Sequence, residues 1–189
     1  MNTAHSPLIS VVLAAHDAEQ FVFPAVESVL RQTLSDLELI VIDDGSRDGT
    51  PELLASFRDQ RLIRLRHDES QGLAVALNLG LDHARGRYVA RLDADDVAMP
   101  DRLERQLAGM RTSPRAAILG SSVCELRGDG RLGTVHAMPA SPLAVRWHLL
   151  FSSPFFHPTV VLDRELLERE RLRYDPRFLE SEDYDLALC

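Results

Sequence analysis

An α/β domain built on a mainly parallel sheet is the fold class this sequence predicts, and three observations carry it. Apolar runs of strand length alternate with amphipathic stretches of helical period through the first two thirds of the chain. Two of those runs, Leu8-Ile9-Ser10-Val11-Val12-Leu13-Ala14 and Glu38-Leu39-Ile40-Val41-Ile42, are almost continuously apolar, as strands covered on both faces are. Three of the runs then end in polar or acidic residues, the chemistry expected outside the carboxyl ends of strands in an open sheet.

The elements follow in order. After the first strand, His16-Asp17-Ala18-Glu19 is a polar loop, and Phe21, Ala25, Val29 and Leu30 recur at helical spacing. The second strand ends in Asp43-Asp44, and Gly45-Ser46-Arg47-Asp48-Gly49 reads as a turn. Thr50 before Pro51 reads as an N-cap with proline at the first helical position. A short third strand covers residues 62–65, and a helix opens at Gln71-Gly72 and runs to about Ala84. Tyr88-Val89-Ala90-Arg91-Leu92 is the fourth strand, a helix covers residues 100–111, and residues 116–121 form a fifth apolar run. Short links between these elements imply right-handed βαβ units.

After Ser121 the rhythm changes. Residues 125–135 read as a hairpin turning at Gly128-Asp129-Gly130. Ser141-Pro142 caps a helix whose Trp147 is assigned to core packing. Phe155-Phe156-His157-Pro158 leads into a strand at Thr159-Val160-Val161-Leu162, and residues 164–173 read as a solvated helix face. With no repeat or linker, one domain over residues 1–189 is expected, with residues 1–121 as its ligand-binding half and residues 122–189 as the other.

Composition excludes several functions. The 189 residues carry a net charge of −8 and no basic run, which speaks against a nucleic-acid surface. All 21 basic residues are arginine, so Schiff-base chemistry and the Walker lysine are absent. Cys124 and Cys189 are far apart, without zinc or disulfide spacing, and a reducing cytoplasmic setting fits them. The first seven residues hold no signal-peptide core, and no apolar run reaches the length of a membrane span. Peripheral association with a membrane stays compatible with this.

The densest chemistry is Arg91-Leu92-Asp93-Ala94-Asp95-Asp96. Unit charges 4 Å apart interact by roughly 4 kcal/mol at a surface-like dielectric, so three carboxylates in four residues call for a cation. An oxygen set suits Mg²⁺ or Mn²⁺. Asp95 or Asp96 capping the helix near Pro100 is the plainer alternative. His16 and Asp17, Asp43 and Asp44, and residues 93–96 all fall on one rim. A nucleotide fits there, with the first two loops on base and ribose and the third holding a metal over a diphosphate.

Pro7-Leu8-Ile9-Ser10-Val11-Val12, Val41-Ile42-Asp43-Asp44-Gly45-Ser46-Arg47-Asp48-Gly49-Thr50 and Arg91-Leu92-Asp93-Ala94-Asp95-Asp96 resemble motifs of family 2 glycosyltransferases of the GT-A fold. His157-Pro158-Thr159 and Ser181-Glu182-Asp183-Tyr184-Asp185-Leu186 resemble the family's later motifs, in the same order. The resemblance implies a Rossmann-like sheet flanked by helices, with a small antiparallel element in the C-terminal part. It implies transfer of a sugar from a nucleotide-diphosphate donor, UDP by default, to a glycan or lipid-linked acceptor with inversion. It places Ala15, Asp17, Asp43 or Asp44, and Asp93 on the nucleotide and Asp95 on the metal. Asp183 becomes the base, beside Glu182, and His157 borders the acceptor or phosphate side. Cell-envelope polysaccharide synthesis is the setting it implies.

Family members continue past the Glu182-Asp183 pair, so a fragment of a longer enzyme is expected. Asp183 also has a structural alternative, the N-cap of a helix starting at Tyr184. A nucleotidyltransferase would be expected to carry a glycine-rich basic loop where Ala14-Ala15-His16-Asp17 stands, and a receiver-like module needs a lysine. A degenerate domain that binds donor without transfer is the remaining rival.

Overall fold

The computed structural model describes residues 6–113, 116–178 and 181–188. Glu180 and Cys189 lie outside the described residues. A six-stranded sheet is the centre of the molecule, in the order β3-β2-β1-β4-β8-β5. β1 (Ile9–Ala15) pairs in parallel with β2 (Leu37–Asp44) on one side and β4 (Tyr88–Arg91) on the other. β3 (Leu62–His67) extends the parallel set beyond β2. β8 (Val161–Asp163) runs antiparallel to both β4 and β5 (Ile118–Leu119). A strand from the C-terminal part therefore completes the main sheet, next to the acid-bearing strand.

Strand alternation divides the core in two. Ile9, Val11 and Leu13 point to one face, where they meet Val22 and Val26 of α1 (Val22–Leu30), Leu54 of α2 (Thr50–Ser56), and Leu103 and Leu107 of α4 (Arg102–Thr112). Val12, Ile40 and Ile42 point to the other, against Ala76, Leu77 and Leu81 of α3 (Leu73–His83). Leu167 of α6 (Arg164–Glu170) and Leu186 of α7 (Glu182–Leu188) finish that second face. Each fully buried Val, Leu or Ile contributes about 1.5–3 kcal/mol, so the β1–β2 pair anchors both layers.

β6 (Val123–Leu126) and β7 (Leu132–His136) form the hairpin as a separate two-stranded sheet. Ser141 caps α5 (Pro142–His148), its Oγ accepting from the Ala144 N–H at 3.2 Å. Trp147, assigned to the core from sequence, is instead 64% exposed beside Leu143, Leu150 and Phe151. The helix offers an apolar stripe to solvent because no described element packs over it. One expected cap and two alternative ones are also corrected. Thr50 is the first residue of α2, and its hydroxyl accepts the Ala18 N–H at 2.8 Å instead of capping. Neither Asp95 nor Asp96 caps α4, which starts at Arg102 after Asp101. Asp183 lies inside the first turn of α7, behind Ser181, and is not its cap. No helix among the described residues is long and apolar enough to cross a membrane.

Candidate active site at the carboxyl edge of the sheet

The loops leaving β1 and β2 are stitched together by reciprocal bonds. The Asp17 carboxylate accepts the Arg47 N–H at 2.8 Å, while its own N–H donates to Ser46 Oγ at 3.0 Å. Glu19 and residues 48–49 repeat the exchange one step further on: Asp48 accepts the Glu19 N–H and Glu19 accepts the Gly49 N–H. Asp17 reaches this position with φ of 47°, a left-handed conformation that aspartate tolerates better than most residues. Ala15 is buried in register with Asp43, so only its backbone faces the rim.

Asp43 and Asp44 are both buried at the end of β2 but bond differently. Asp43 accepts the Ser46 N–H at 3.0 Å and pairs with Arg66 Nη1. Asp44 turns toward the start of α3. It is bonded to His67 Nδ1 (2.6 Å) and accepts Ser70 Oγ (2.8 Å) and the N–H groups of Gln71 and Gly72, each at 2.9 Å. Burial alone would raise its pKa, but these bonds outweigh it and hold the carboxyl below the usual range. Asp44 thus ties the β3–α3 loop to the rim, and Asp43 has fewer bonds. Arg66 and His67 were missed in the sequence, although the rim rule applied to the end of the third strand points to them.

At the end of β4 the three acids converge. One carboxylate oxygen from each of Asp93, Asp95 and Asp96 lies within 4.8 Å of the others. Asp95 is exposed, and Asp93 and Asp96 are half-buried. Burial, then repulsion from Asp93 and Asp95, raises the pKa of Asp96 despite Arg91 and Arg102 nearby. An all-oxygen set with one acid destabilised by its neighbours fits a hard divalent cation such as Mn²⁺ or Mg²⁺. Beneath it, Arg102 donates from Nη2 to the Arg91 carbonyl (2.7 Å) and from Nε to Gln106 Oε1 (2.9 Å). Gln106 in turn donates to the Thr159 carbonyl at 2.7 Å, tying the acid turn to the segment carrying His157.

The second acidic group comes from α7. Glu182 is buried, and its Oε1 lies 3.8 Å from His157 Nδ1. Burial, then Arg91, lowers the pKa of His157 to about 3, so that contact joins a neutral ring to the acid. His157, Tyr174 and Asp183 line a small cavity of about 10 Å³ with Phe155 and Leu186. Arg91, Asp183, Glu182 and Asp93 all act electrostatically on the Tyr174 hydroxyl, so both acid groups lie in its neighbourhood. A wider groove of about 750 Å³ starts at Asp95 and Asp96 and follows α4 toward Leu126 of the hairpin and Phe156.

The chain is 32% identical over 190 residues to the succinoglycan biosynthesis protein ExoO of Rhizobium meliloti, covering 95% of this chain and 54% of ExoO. It is 32% identical over 182 residues to WfgD of Escherichia coli, a UDP-Glc:α-D-GlcNAc-diphosphoundecaprenol β-1,3-glucosyltransferase, covering 96% of this chain and 68% of WfgD. The chain spans 58%, 54% and 63% of the length of three curated relatives. Among solved structures, S. aureus TarS in complex with UDP superposes with a TM-score of 0.75 at 20% identity, over 95% of this chain and 54% of that one. The mannosyltransferase PcManGT of Pyrobaculum calidifontis, in complex with GDP-Man and Mn²⁺, gives 0.72 at 22% identity, over 97% and 52%. These likenesses show the fold, that of GT-A glycosyltransferases. The profile of glycosyl transferase family 2 matches residues 10–169, and the chain belongs to that family.

Proposed function

We propose that this domain binds a nucleotide-diphosphate sugar across the carboxyl edge of the sheet and transfers the sugar to an acceptor hydroxyl with inversion. The observation that carries the reading is the presence of two acid groups that both bear on Tyr174, one holding Asp93, Asp95 and Asp96 after β4 and the other Glu182 and Asp183 on α7. In this reading Asp43 and the backbone at Ala15 and Asp17 line the base pocket, and Asp44 holds the pocket's wall. Asp93 faces the ribose, and Asp95, with Asp96, would hold Mn²⁺ or Mg²⁺. When bound, such a cation supplies charge neutralisation for the leaving diphosphate.

Asp183 takes the proton from the acceptor hydroxyl. The acceptor oxygen forms its bond to the anomeric carbon as the bond to the diphosphate oxygen breaks, and the electron pair leaves with the nucleoside diphosphate. Displacement from the side opposite the leaving group inverts the carbon. General-base help of this kind is worth typically about 10²–10⁴-fold. His157, neutral and beside Glu182, borders the acceptor side. The groove along α4 supports an acceptor larger than a monosaccharide, and the exposed stripe on α5 is compatible with work at a membrane surface on a lipid-linked glycan. WfgD uses a UDP-sugar and an undecaprenol-linked acceptor by name, which supports uracil and cell-envelope glycan synthesis.

The test is calorimetric titration of the wild type and Asp95→Ala with UDP and GDP, with and without Mn²⁺. Binding of UDP that needs Mn²⁺ and is lost in the variant is the expected result. Preference for GDP would reassign the base, and nucleotide binding indifferent to both Mn²⁺ and Asp95 would overturn the metal-assisted site.

A further inference from the structure

Arg91 is the oddest residue in the second core. It closes β4 with its backbone fully used: the N–H donates to the Val160 carbonyl at 3.0 Å, and the carbonyl accepts from Arg102. Its side chain is only 4% exposed, yet Nε and Nη1 have no aligned hydrogen-bond acceptor. Nη1 nevertheless lies against the Asp93 carboxylate as an ion pair. The neighbouring strand positions on that face are apolar, with Val89 beside Val160 and Leu162. A methionine or leucine would pack there without desolvating a charge. A buried guanidinium with unfilled donors is costly, and such groups ask for an explanation.

The explanation lies in what an unmodified trio would do. Three carboxylates within mutual reach chelate a cation together, leaving none for the nucleoside. One fixed cation inside the protein, against one member only, breaks that equivalence. We propose that Arg91 is a positioning residue that withdraws Asp93 from the metal. Held as an internal ion pair, Asp93 stays available to the nucleoside, and the divalent cation is left to Asp95 and Asp96. The inference rests on the reading of the rim as a nucleotide and metal site, and it adds the device that assigns each acid its task. It also implies that the cation binds weakly until a diphosphate supplies further oxygens, since one of three protein ligands is held back.

The test reads Mn²⁺ binding alone, by the electron paramagnetic resonance signal of the free ion, and UDP binding at saturating Mn²⁺, by calorimetry. Asp93→Asn should leave Mn²⁺ affinity within about twofold while weakening UDP about tenfold or more, whereas Asp95→Ala should weaken both. Arg91→Met should release Asp93 to the metal. Mn²⁺ alone then binds several-fold tighter and UDP weaker, and Arg91→Lys returns both toward the wild type. In an Asp93→Asn background the Arg91→Met effect on Mn²⁺ should disappear, because its route runs through that acid. Asp93→Asn lowering Mn²⁺ affinity as much as Asp95→Ala would overturn the inference, even if Arg91→Met fails to fold. An Arg91→Met effect that persists without Asp93 would also overturn it. If Asp95→Ala changes neither reading, it is the rim assignment itself that falls.

Discussion

His157 and Tyr174 face each other across the second core, with Nε2 3.2 Å from the phenol oxygen and ring centroids 5.4 Å apart. Tyr174 is fixed to α3 at its backbone, where the Asn78 amide accepts its N–H at 2.9 Å and donates to its carbonyl at 2.7 Å. Burial raises the phenol's pKa, so it stays protonated, and the pair is a neutral hinge post between the α7 acids and β4. Neutrality is enforced by the surroundings: desolvation and Arg91 both oppose an imidazolium.

That enforcement predicts an acid-side loss of stability. The folded ring titrates near 3 and the unfolded one near 6.5, so between those values the unfolded state binds more protons. Stability from this group is therefore complete above pH 6.5 and declines as pH falls toward 3, with a slope of up to about 1.4 kcal/mol per pH unit. Thermal midpoints measured from pH 7.5 to pH 4.5 should fall more steeply for the wild type than for His157→Phe. Parallel curves would mean that the ring is protonated in the fold.

Asp44 makes a second prediction. Its carboxylate accepts the N–H groups that open α3 and the Ser70 hydroxyl. Asp44→Ala leaves those donors without their acceptor, at about 1–3 kcal/mol for a buried unsatisfied group. Urea denaturation should show a loss of at least about 2 kcal/mol, with UDP affinity lowered through the displaced loop. A variant as stable as the wild type would show that water or another acceptor replaces the carboxylate without loss.

Much of this was legible in the sequence because its chemistry is local. Burial of β1 and β2 on both faces follows from their nearly continuous apolar runs, and Asp43, Asp44 and the trio fall at strand ends that sequence spacing already marks. The partners of those acids were not legible. Arg66 and His67 come from the neighbouring strand, and only the β2–β3 register places them opposite Asp43 and Asp44. Trp147 was misassigned because an apolar stripe states what could be buried and not whether a neighbour covers it. The antiparallel insertion of β8 beside β4 is likewise a long-range choice, with Ala90 opposite Val161. Helix and loop signals do not encode that pairing.

Gly80 tests how tightly α3 lies on the sheet. A Cβ built there would come within 2.4 Å of Val12 Cγ1 and 2.9 Å of Ile42 Cδ1. Alanine gains about 1 kcal/mol of helix propensity over glycine in an exposed helix. Overpacking a filled core costs about 1–3 kcal/mol, so the clash should win here. Gly80→Ala should lower the thermal midpoint, and Val12→Ala should recover part of the loss when combined with it. A stabilised Gly80→Ala would show that the helix can lift off the strand at little cost.

The division of labour between the two acid groups gives the last prediction. Asp183, on α7, lines a cavity with His157 and Tyr174, whereas Asp95 and Asp96 after β4 would hold the cation. Donor binding and proton removal should therefore separate by mutation. Asp183→Asn keeps the size and polarity of the side chain while removing its basicity. Its affinity for UDP with Mn²⁺ should stay within about threefold of the wild type, while release of UDP from a UDP-sugar in the presence of acceptor falls about 10²–10⁴-fold. Asp95→Ala should do the reverse in order, losing donor binding first and turnover as a consequence. A variant at Asp183 that keeps its turnover would move the base to Glu182. Loss of donor affinity in Asp183→Asn would instead mean that α7 shapes the nucleotide site, and the two acid groups would then have to be treated as one.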